Sequence, residues 1–99
     1  MAVFRPDIPP YVADLISHLP PDLKRSVRQA LRALALDPFS GEPLLRELAG
    51  LWKYRVRRFR IIYEVDRQER TIRIFAVCHR QEVYEEVAEQ LRQARRRRR

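Results

Sequence analysis

One short segment of this 99-residue chain holds a dense set of cationic side chains. A guanidinium group binds a phosphate through two parallel hydrogen bonds and keeps its proton at any physiological pH, so clustered arginines favour a phosphate ligand. No acidic residue occurs within residues 51–63 to neutralise them. The segment therefore predicts a surface that binds a polyanion. Its five cations are Lys53, Arg55, Arg57, Arg58 and Arg60.

Apolar and polar residues alternate around these cations, which is typical of two antiparallel strands joined by a short turn. If residues 57–58 form a two-residue turn, Arg55 lies directly opposite Arg60, and Lys53 lies opposite Ile62. Like charges opposite each other destabilise a sheet, so we expect an anion or an acidic partner between the two arginines. The alternative is a solvated face whose long side chains extend into water. The turn is unusual, because arginine disfavours the positive φ angles of a type I′ turn.

The rest of the chain predicts the elements that position this hairpin. Apolar residues spaced for one buried face predict a helix from Pro10 to about His18 and a second from residue 21 or 22 to about Leu36. The element order predicts an α+β domain: an antiparallel sheet with a two-helix hairpin packed on one face and a short C-terminal helix. We expect the functional site on the opposite, partly free face. The other predicted elements are an edge strand at 2–5, a turn-rich loop at 37–43, a short helical turn within 44–48, a third hairpin strand at 71–78 and the terminal helix from Glu82.

Length and composition exclude several classes of protein. The chain is long enough for one domain, which we place at residues 1–91, followed by a basic tail at 92–99. The single cysteine, Cys78, excludes a disulfide framework and a thiolate cluster, and we expect neither a metal nor a cofactor. No apolar run approaches the roughly 20 residues of a membrane span, and no signal peptide is evident. These features favour a cytoplasmic protein that does not bind membranes.

Three motifs within this frame resemble the RelE/ParE superfamily of type II toxins. The first strand of the hairpin, Leu48–Val56, reads LAGLWKYRV, and the second, Phe59–Tyr63, reads FRIIY. The third motif, His79–Tyr84, has histidine and arginine followed after three residues by tyrosine. The resemblance covers roughly residues 22–90 and is specific as a set. It implies a RelE-like fold.

The RNase members of the superfamily cleave messenger RNA in the ribosomal A site without a metal, by attack of a ribose 2′-hydroxyl on the adjacent phosphate. This chemistry needs a base, cations for the charge on the phosphorane, and an acid for the 5′-oxygen. The resemblance implies that Arg60 and Arg80 clamp the phosphate and that Tyr84 stacks on a base or transfers a proton. Tyr84 has an alternative role in packing the terminal helix. The catalytic positions carried over are Lys53, Arg55, Arg60, Arg80 and Tyr84.

This chain departs from the superfamily at two places. Arg55 stands where the best-known RNase members have a second lysine, and arginine cannot act as a general base, so Lys53 is the sole amine. His79 is a substitute base or RNA contact, although a histidine at a strand end is more often structural. Arg57 and Arg58 replace a Gly-Asp turn and either widen the contact with RNA or reflect a different hairpin. Trp52 and Tyr63, which alternate with the basic side chains, are predicted to belong to the core.

Three functions remain open from these residues. The first is a ribosome-dependent endoribonuclease toxin that inhibits translation. The second is a ParE-like, non-enzymatic inhibitor of DNA gyrase, and the third is a degenerate toxin that only binds its antitoxin or nucleic acid. The expected partners are a cognate antitoxin, acidic where it covers the cationic face, and mRNA on the ribosome. A toxin–antitoxin heterotetramer is a further expectation.

Overall fold

The computed structural model describes residues 3–79, 89–90 and 93. Two helices precede a hairpin-connected set of three long strands, as the sequence predicts. A single 3-10 turn at Arg46–Leu48 confirms the helical turn expected within 44–48. The elements in chain order are β1 (Arg5–Asp7), α1 (Pro10–Ser17), α2 (Pro21–Leu36), β2 (Glu42–Pro43), β3 (Leu51–Val56), β4 (Phe59–Asp66) and β5 (Thr71–Cys78).

Each helix starts at a proline and buries one face. Pro10 and Pro21 occupy the first helical positions, where a backbone N–H would have no partner within the helix. Val12 and Ile16 are the buried residues of α1. In α2 the buried residues follow helical spacing, and both helices pack on the same face of the sheet, which confirms the predicted α+β arrangement. The buried residues of α2 are Val27, Ala30, Leu31 and Leu34.

Among the described residues the sheet has five strands in the order β1-β5-β4-β3-β2, and it is mixed rather than purely antiparallel. β1 pairs in parallel with β5, with Arg5 opposite Thr71 and Asp7 opposite Arg73. The edge strand predicted at 2–5 is an edge strand in the structure, but it lies two to three residues further along the chain, at Arg5–Asp7. Pro6 is tolerated because β1 lies at the edge of the sheet. The prediction of loop throughout 37–43 is wrong at Glu42–Pro43, which pairs with β3.

In the part of the chain that the structure describes, the buried apolar residues form two clusters, one on each face of the sheet. The main cluster lies between the sheet and the helices and includes Tyr63, which has no exposed surface. A smaller cluster on the other face is built on Leu51, Ile62 and Cys78, with Leu44 and Leu48 packed against them. The segment between β2 and β3 therefore covers part of the face that the helices leave open.

A register shift interrupts the pairing of β4 with β5. Ile62 pairs with Ala76, whereas the next residue, Tyr63, pairs with Ile74, so Phe75 is an extra residue in β5. The Tyr11 hydroxyl of α1 donates a hydrogen bond to the Phe75 carbonyl oxygen at 2.7 Å. A bulge of this kind changes which face the following residues occupy. It decides which face the end of β5 presents to the cations of β4.

The C-terminal predictions are tested only in part. Residues 89–90 and 93 are helical. The remainder of the helix predicted from Glu82 and the basic tail at 92–99, apart from residue 93, lie outside the described residues. No helix within the described ranges has both the length and the apolar character needed to cross a membrane.

Candidate functional site

The hairpin of β3 and β4 has the predicted register. Arg55 pairs with Arg60, and Lys53 pairs with Ile62. Residues 57–58 form a two-residue turn in which Arg57 adopts a positive φ of 56°. Positive φ is costly for a residue with a Cβ, so the turn holds a strained backbone at its first position. The structure thus places two guanidinium groups directly across from each other beside a strained turn.

Lys53, Arg55 and Arg60 lie together on the sheet face that points away from the helices. Arg55 is exposed, while Lys53 and Arg60 are half-buried. Within the described residues, neither Arg55 nor Arg60 forms an ion pair. Two facing cations without a carboxylate repel each other until an anion lies between them. This face is the part of the described surface best suited to hold a phosphate.

The opposite end of the same face is electrically balanced. Arg73 forms ion pairs with Glu64 at 3.1 Å and with Asp66 at 2.9 Å. The pKa of Asp66 is lowered, first by the backbone N–H of Glu69 and then by the Arg73 guanidinium. The uncompensated positive charge is therefore concentrated near the β3–β4 turn, where it defines one end of the face as the anion-binding end.

The Arg55 side chain is held in a defined direction. Its Nε donates a hydrogen bond to the main-chain oxygen of Arg57 at 3.2 Å. A guanidinium has five N–H donors, so its two terminal nitrogens stay available for a ligand. The turn therefore aims the group that would contact a phosphate.

Lys53 has an acidic neighbour that the sequence pattern did not reveal. Glu42 of β2 pairs with Lys53, and its carboxylate oxygen lies 3.7 Å from the lysine nitrogen. Gly41 permits this approach, since a Cβ there would lie 2.5 Å from both the Lys53 carbonyl oxygen and the Tyr63 hydroxyl. In the sequence, Glu42 is only an acid that follows a glycine in a loop. No local pattern shows that it pairs with β3.

Aromatic packing holds this loop on the helix side of the sheet. Phe39 meets Trp52 edge-on with ring centroids 5.4 Å apart, and Trp52 stacks on Tyr63 at 6.5 Å. The Tyr63 hydroxyl donates a hydrogen bond to the Pro38 carbonyl oxygen at 2.8 Å. Burial raises the pKa of Tyr63 to about 12. Trp52 and Tyr63 thus pack in the core, as predicted, and fix the loop that carries Glu42.

The last residue of β5, Cys78, and the candidate residue that follows it, His79, lie on opposite faces of the sheet. Cys78 pairs with Arg60, is buried among the smaller apolar cluster, and has a raised thiol pKa because burial outweighs the nearby Arg60 charge. His79 stacks on Phe59 with ring centroids 5.0 Å apart. Phe59 packs against the helix-side core, so His79 lies on the side away from Lys53. The bulge in β5 produces this separation.

The structure thus brings together only part of the predicted set. Lys53, Arg55 and Arg60 share one face, and Arg57 and Arg58 border it as exposed turn residues. His79 is exposed beside the other face. Two predicted catalytic residues lie outside the described residues, namely Arg80 and Tyr84.

A family model, a protein sequence and solved structures that are similar to this chain all belong to toxins or to toxin–antitoxin complexes. A family model described as the ParE toxin of the type II toxin–antitoxin system parDE matches residues 7–84. Toxin RelG of Mycobacterium tuberculosis is 37% identical over 68 residues, which cover 67% of this chain and 78% of that protein. A chain in the toxin–antitoxin complex RelBE2 from the same organism is 30% identical, with a TM-score of 0.71, covering 79% of this chain and 99% of that one. A mutant of the Escherichia coli toxin RelE in the free state, 20% identical, shares the fold with a TM-score of 0.72 over 91% of this chain and 98% of its own.

Proposed function

This chain belongs to the ParE toxin family, in the RelE/ParE superfamily of type II toxin–antitoxin toxins, and from that premise we propose that it is a ribosome-dependent endoribonuclease that cleaves mRNA. One observation carries the proposal. Arg55 faces Arg60 without a carboxylate partner among the described residues, and Lys53 lies two residues away on the same face. This arrangement suits an RNA phosphate.

The proposed reaction needs no redox partner or cofactor. The ribose 2′-oxygen bonds to phosphorus while the bond from phosphorus to the 5′-oxygen breaks, leaving a 2′,3′-cyclic phosphate and a 5′-hydroxyl. In this proposal Lys53 takes the proton of the 2′-hydroxyl, and Arg60 and Arg80 balance the charge that develops on the phosphorane. Tyr84 stacks on a base or gives a proton to the 5′-oxygen.

Arg55 contributes binding rather than proton transfer in this proposal. An arginine keeps its proton, so it cannot replace the second lysine of the best-known RNase members as a base. Its aimed guanidinium instead holds the phosphate across from Arg60. In this proposal Arg57 and Arg58 contact the strand as it leaves the site, and His79, which stacks on Phe59 on the other face, makes a peripheral RNA contact at most.

Cleavage of a defined message on purified translating ribosomes tests the proposal. The wild-type chain is expected to produce discrete 3′-truncated fragments, and Arg60→Gln is expected to lower the rate by at least about 100-fold, in line with the loss of one charge-stabilising group. Arg70→Gln, which removes an exposed arginine from the β4–β5 turn, is the matched control and should cleave normally. An intact message with wild-type protein, or equal rates for the two variants, would overturn the proposal.

A second candidate function is favoured by the family model, whose description names ParE rather than RelE. A ParE-like toxin inhibits DNA gyrase without enzymatic activity. Supercoiling of a relaxed plasmid by gyrase separates the candidates, because inhibition with no cut in ribosome-bound mRNA supports only this one. Absence of growth arrest on induction would instead support a degenerate toxin that only binds antitoxin or nucleic acid.

We also propose an acidic antitoxin as partner, because the similar RelBE2 structure is a toxin–antitoxin complex. Its acidic segment would cover Lys53, Arg55 and Arg60 and so block the anion-binding end of the sheet. Replacing Arg55 and Arg60 by glutamine should weaken the complex and reduce its salt dependence. Light scattering on the complex tests the heterotetramer, since a mass of one toxin and one antitoxin contradicts it.

A further inference from the structure

The outer face of α2 carries a second basic surface, which we call the α2 ridge. The helix buries Val27 and Leu34 against the sheet and turns its polar residues outward. Four of these are cations, of which three arginines are exposed and one lysine is half-buried. They border a surface depression of about 440 Å³. The residues that line it are Pro21, Lys24, Arg25, Arg28, Gln29 and Arg32.

The ridge is electrically uncompensated in the described part of the chain. None of its four cations forms an ion pair there, and none of the six lining residues is acidic. Lys24 and Arg28, and Arg28 and Arg32, are like charges four residues apart, which destabilise a helix. A helix that accepts this cost, with no ion pair to its cations among the described residues, is suited to a polyanionic ligand.

The charge balance of the sequence conceals this ridge. Residues 1–50 contain six basic and six acidic residues and so have no net charge. Four of the six cations lie on the ridge, whereas within α2 the only acid is Asp22. The other acids of this half are distributed over β1, α1, β2 and the connecting segments. The four cations lie in a stretch, residues 23–36, that contains no acid.

The ridge has the dimensions of a nucleic-acid backbone contact. A helix rises about 1.5 Å per residue, so Lys24 and Arg32 are about 12 Å apart along the axis. Phosphates of one strand recur about every 3.4 Å along the axis of B-form DNA and more closely along A-form RNA, so the ridge spans about four of them in an RNA duplex. None of its lining residues is aromatic, so the ridge has no platform for stacking bases. A duplex, whose bases are already stacked, fits better than a single strand.

A protein partner fits the ridge less well. Protein interfaces depend on apolar or aromatic anchors in their centre. The ridge presents one proline, one glutamine and four cations. It also lies on the outer side of the helices, whereas Lys53, Arg55 and Arg60 lie on the far face of the sheet. One molecule can therefore hold a message at the sheet and a separate duplex at the ridge.

We propose that the α2 ridge binds the phosphate backbone of double-helical RNA. The choice of RNA over DNA rests on the proposed function, in which the chain works within a particle rich in RNA. The ridge would then hold the toxin against structured RNA, while the sheet face contacts the strand to be cut.

Equilibrium binding of the full chain to a fluorescent 20-base-pair RNA duplex, across a series of salt concentrations, tests the ridge. Affinity falls as salt rises, so the plot of log affinity against log salt has a negative slope. Replacing three ridge arginines by glutamine should make this slope shallower by about two to three. It should also reduce the affinity near 0.1 M salt by about 100-fold or more. A control loses three exposed arginines elsewhere, so both variants have the same net charge. The ridge variant is Arg25→Gln, Arg28→Gln and Arg32→Gln, and the control is Arg5→Gln, Arg67→Gln and Arg70→Gln.

Three outcomes overturn the ridge proposal: equal slopes for the two variants, tighter binding of a DNA duplex of the same sequence, or loss of antitoxin binding with duplex binding intact. Changing the three ridge arginines to lysine should preserve the slope, because phosphate contacts need only a point charge. If the glutamine variant fails to fold, the single variant Arg28→Gln should still lower the slope by about 0.9. The duplex-binding assay contains no ribosome, so the two proposals can fail separately. If the protein binds the duplex but does not cleave ribosome-bound mRNA, the proposed endoribonuclease function is wrong and the ridge proposal stands.

Discussion

The Nε of Arg55 donates a hydrogen bond to the main-chain oxygen of Arg57, 3.2 Å away, and so ties a cation of the free sheet face to the turn that follows it. The direction of the Arg55 guanidinium depends on the backbone of the turn rather than on the side chain of Arg57. A substitution at residue 57 can therefore remove the Arg57 side chain from RNA binding while the hydrogen bond that directs Arg55 is kept.

Arg57→Gly should stabilise the protein and weaken its binding of RNA. Glycine adopts the φ of 56° without the steric strain that a Cβ causes. The strain relieved exceeds the conformational entropy that glycine adds to the unfolded chain by a few tenths of a kcal/mol. The carbonyl that holds Arg55 remains, but one cation is lost. Arg70→Gly, at a φ of 51° in the β4–β5 turn, is the control and should stabilise without changing RNA affinity. Thermal unfolding and RNA titration measure both effects, and a lower melting temperature for Arg57→Gly contradicts this prediction.

Arg55→Gln should raise stability while lowering activity. Arg55 and Arg60 are opposed like charges, so removing one relieves about 0.2–1 kcal/mol of cross-strand repulsion, less the loss of an exposed hydrogen bond. Cleavage of ribosome-bound mRNA should fall at least about 10-fold, because the phosphate loses one of its two facing guanidinium groups. Urea unfolding and the cleavage assay measure the pair of effects. A variant that is less stable and equally active would show that the two arginines form a solvated face.

Glu42→Gln should strengthen RNA binding several-fold with little effect on folding. The carboxylate lies 3.7 Å from the Lys53 nitrogen and is mostly exposed, so the free energy of unfolding should change by less than about 1 kcal/mol. Removing it raises the positive potential at the anion-binding end of the face. Glu69→Gln, an exposed acid in the β4–β5 turn, tests whether net charge alone explains the change. Equal gains in affinity for both variants would count against a local effect.

Tyr63→Phe should destabilise the protein near neutral pH and flatten its loss of stability in alkali. The buried Pro38 carbonyl loses its hydrogen bond, at a cost of about 1–3 kcal/mol. The pKa of Tyr63 rises from 10.0 when unfolded to about 12 in the fold, so the folded state keeps the proton longer. The stability that comes from this difference in pKa is fully present below pH 10. As the pH rises from 10 to about 12, the free energy of unfolding falls by about 1.4 kcal/mol per pH unit. Chemical unfolding at several pH values measures it, and Tyr54→Phe, which keeps Tyr63, should retain the alkaline loss.

Much of the local structure follows from short-range patterns. Helical spacing with prolines at the starts predicted α1 and α2 to within a residue or two. Alternation around residues 57–58 predicted that Arg55 faces Arg60, although the turn uses an arginine at positive φ. These features depend on residues close together in the chain, so their physical causes are visible in the sequence.

The sequence alone determined the hairpin, its register and the cluster of cations that it carries, because each results from local periodicity and charge. Tertiary structure decided which distant groups meet those cations. Sheet pairing brought Glu42 to Lys53, and the bulge at Phe75 turned His79 to the other face. Each of these contacts depends on packing between residues far apart in the chain, which no local pattern encodes.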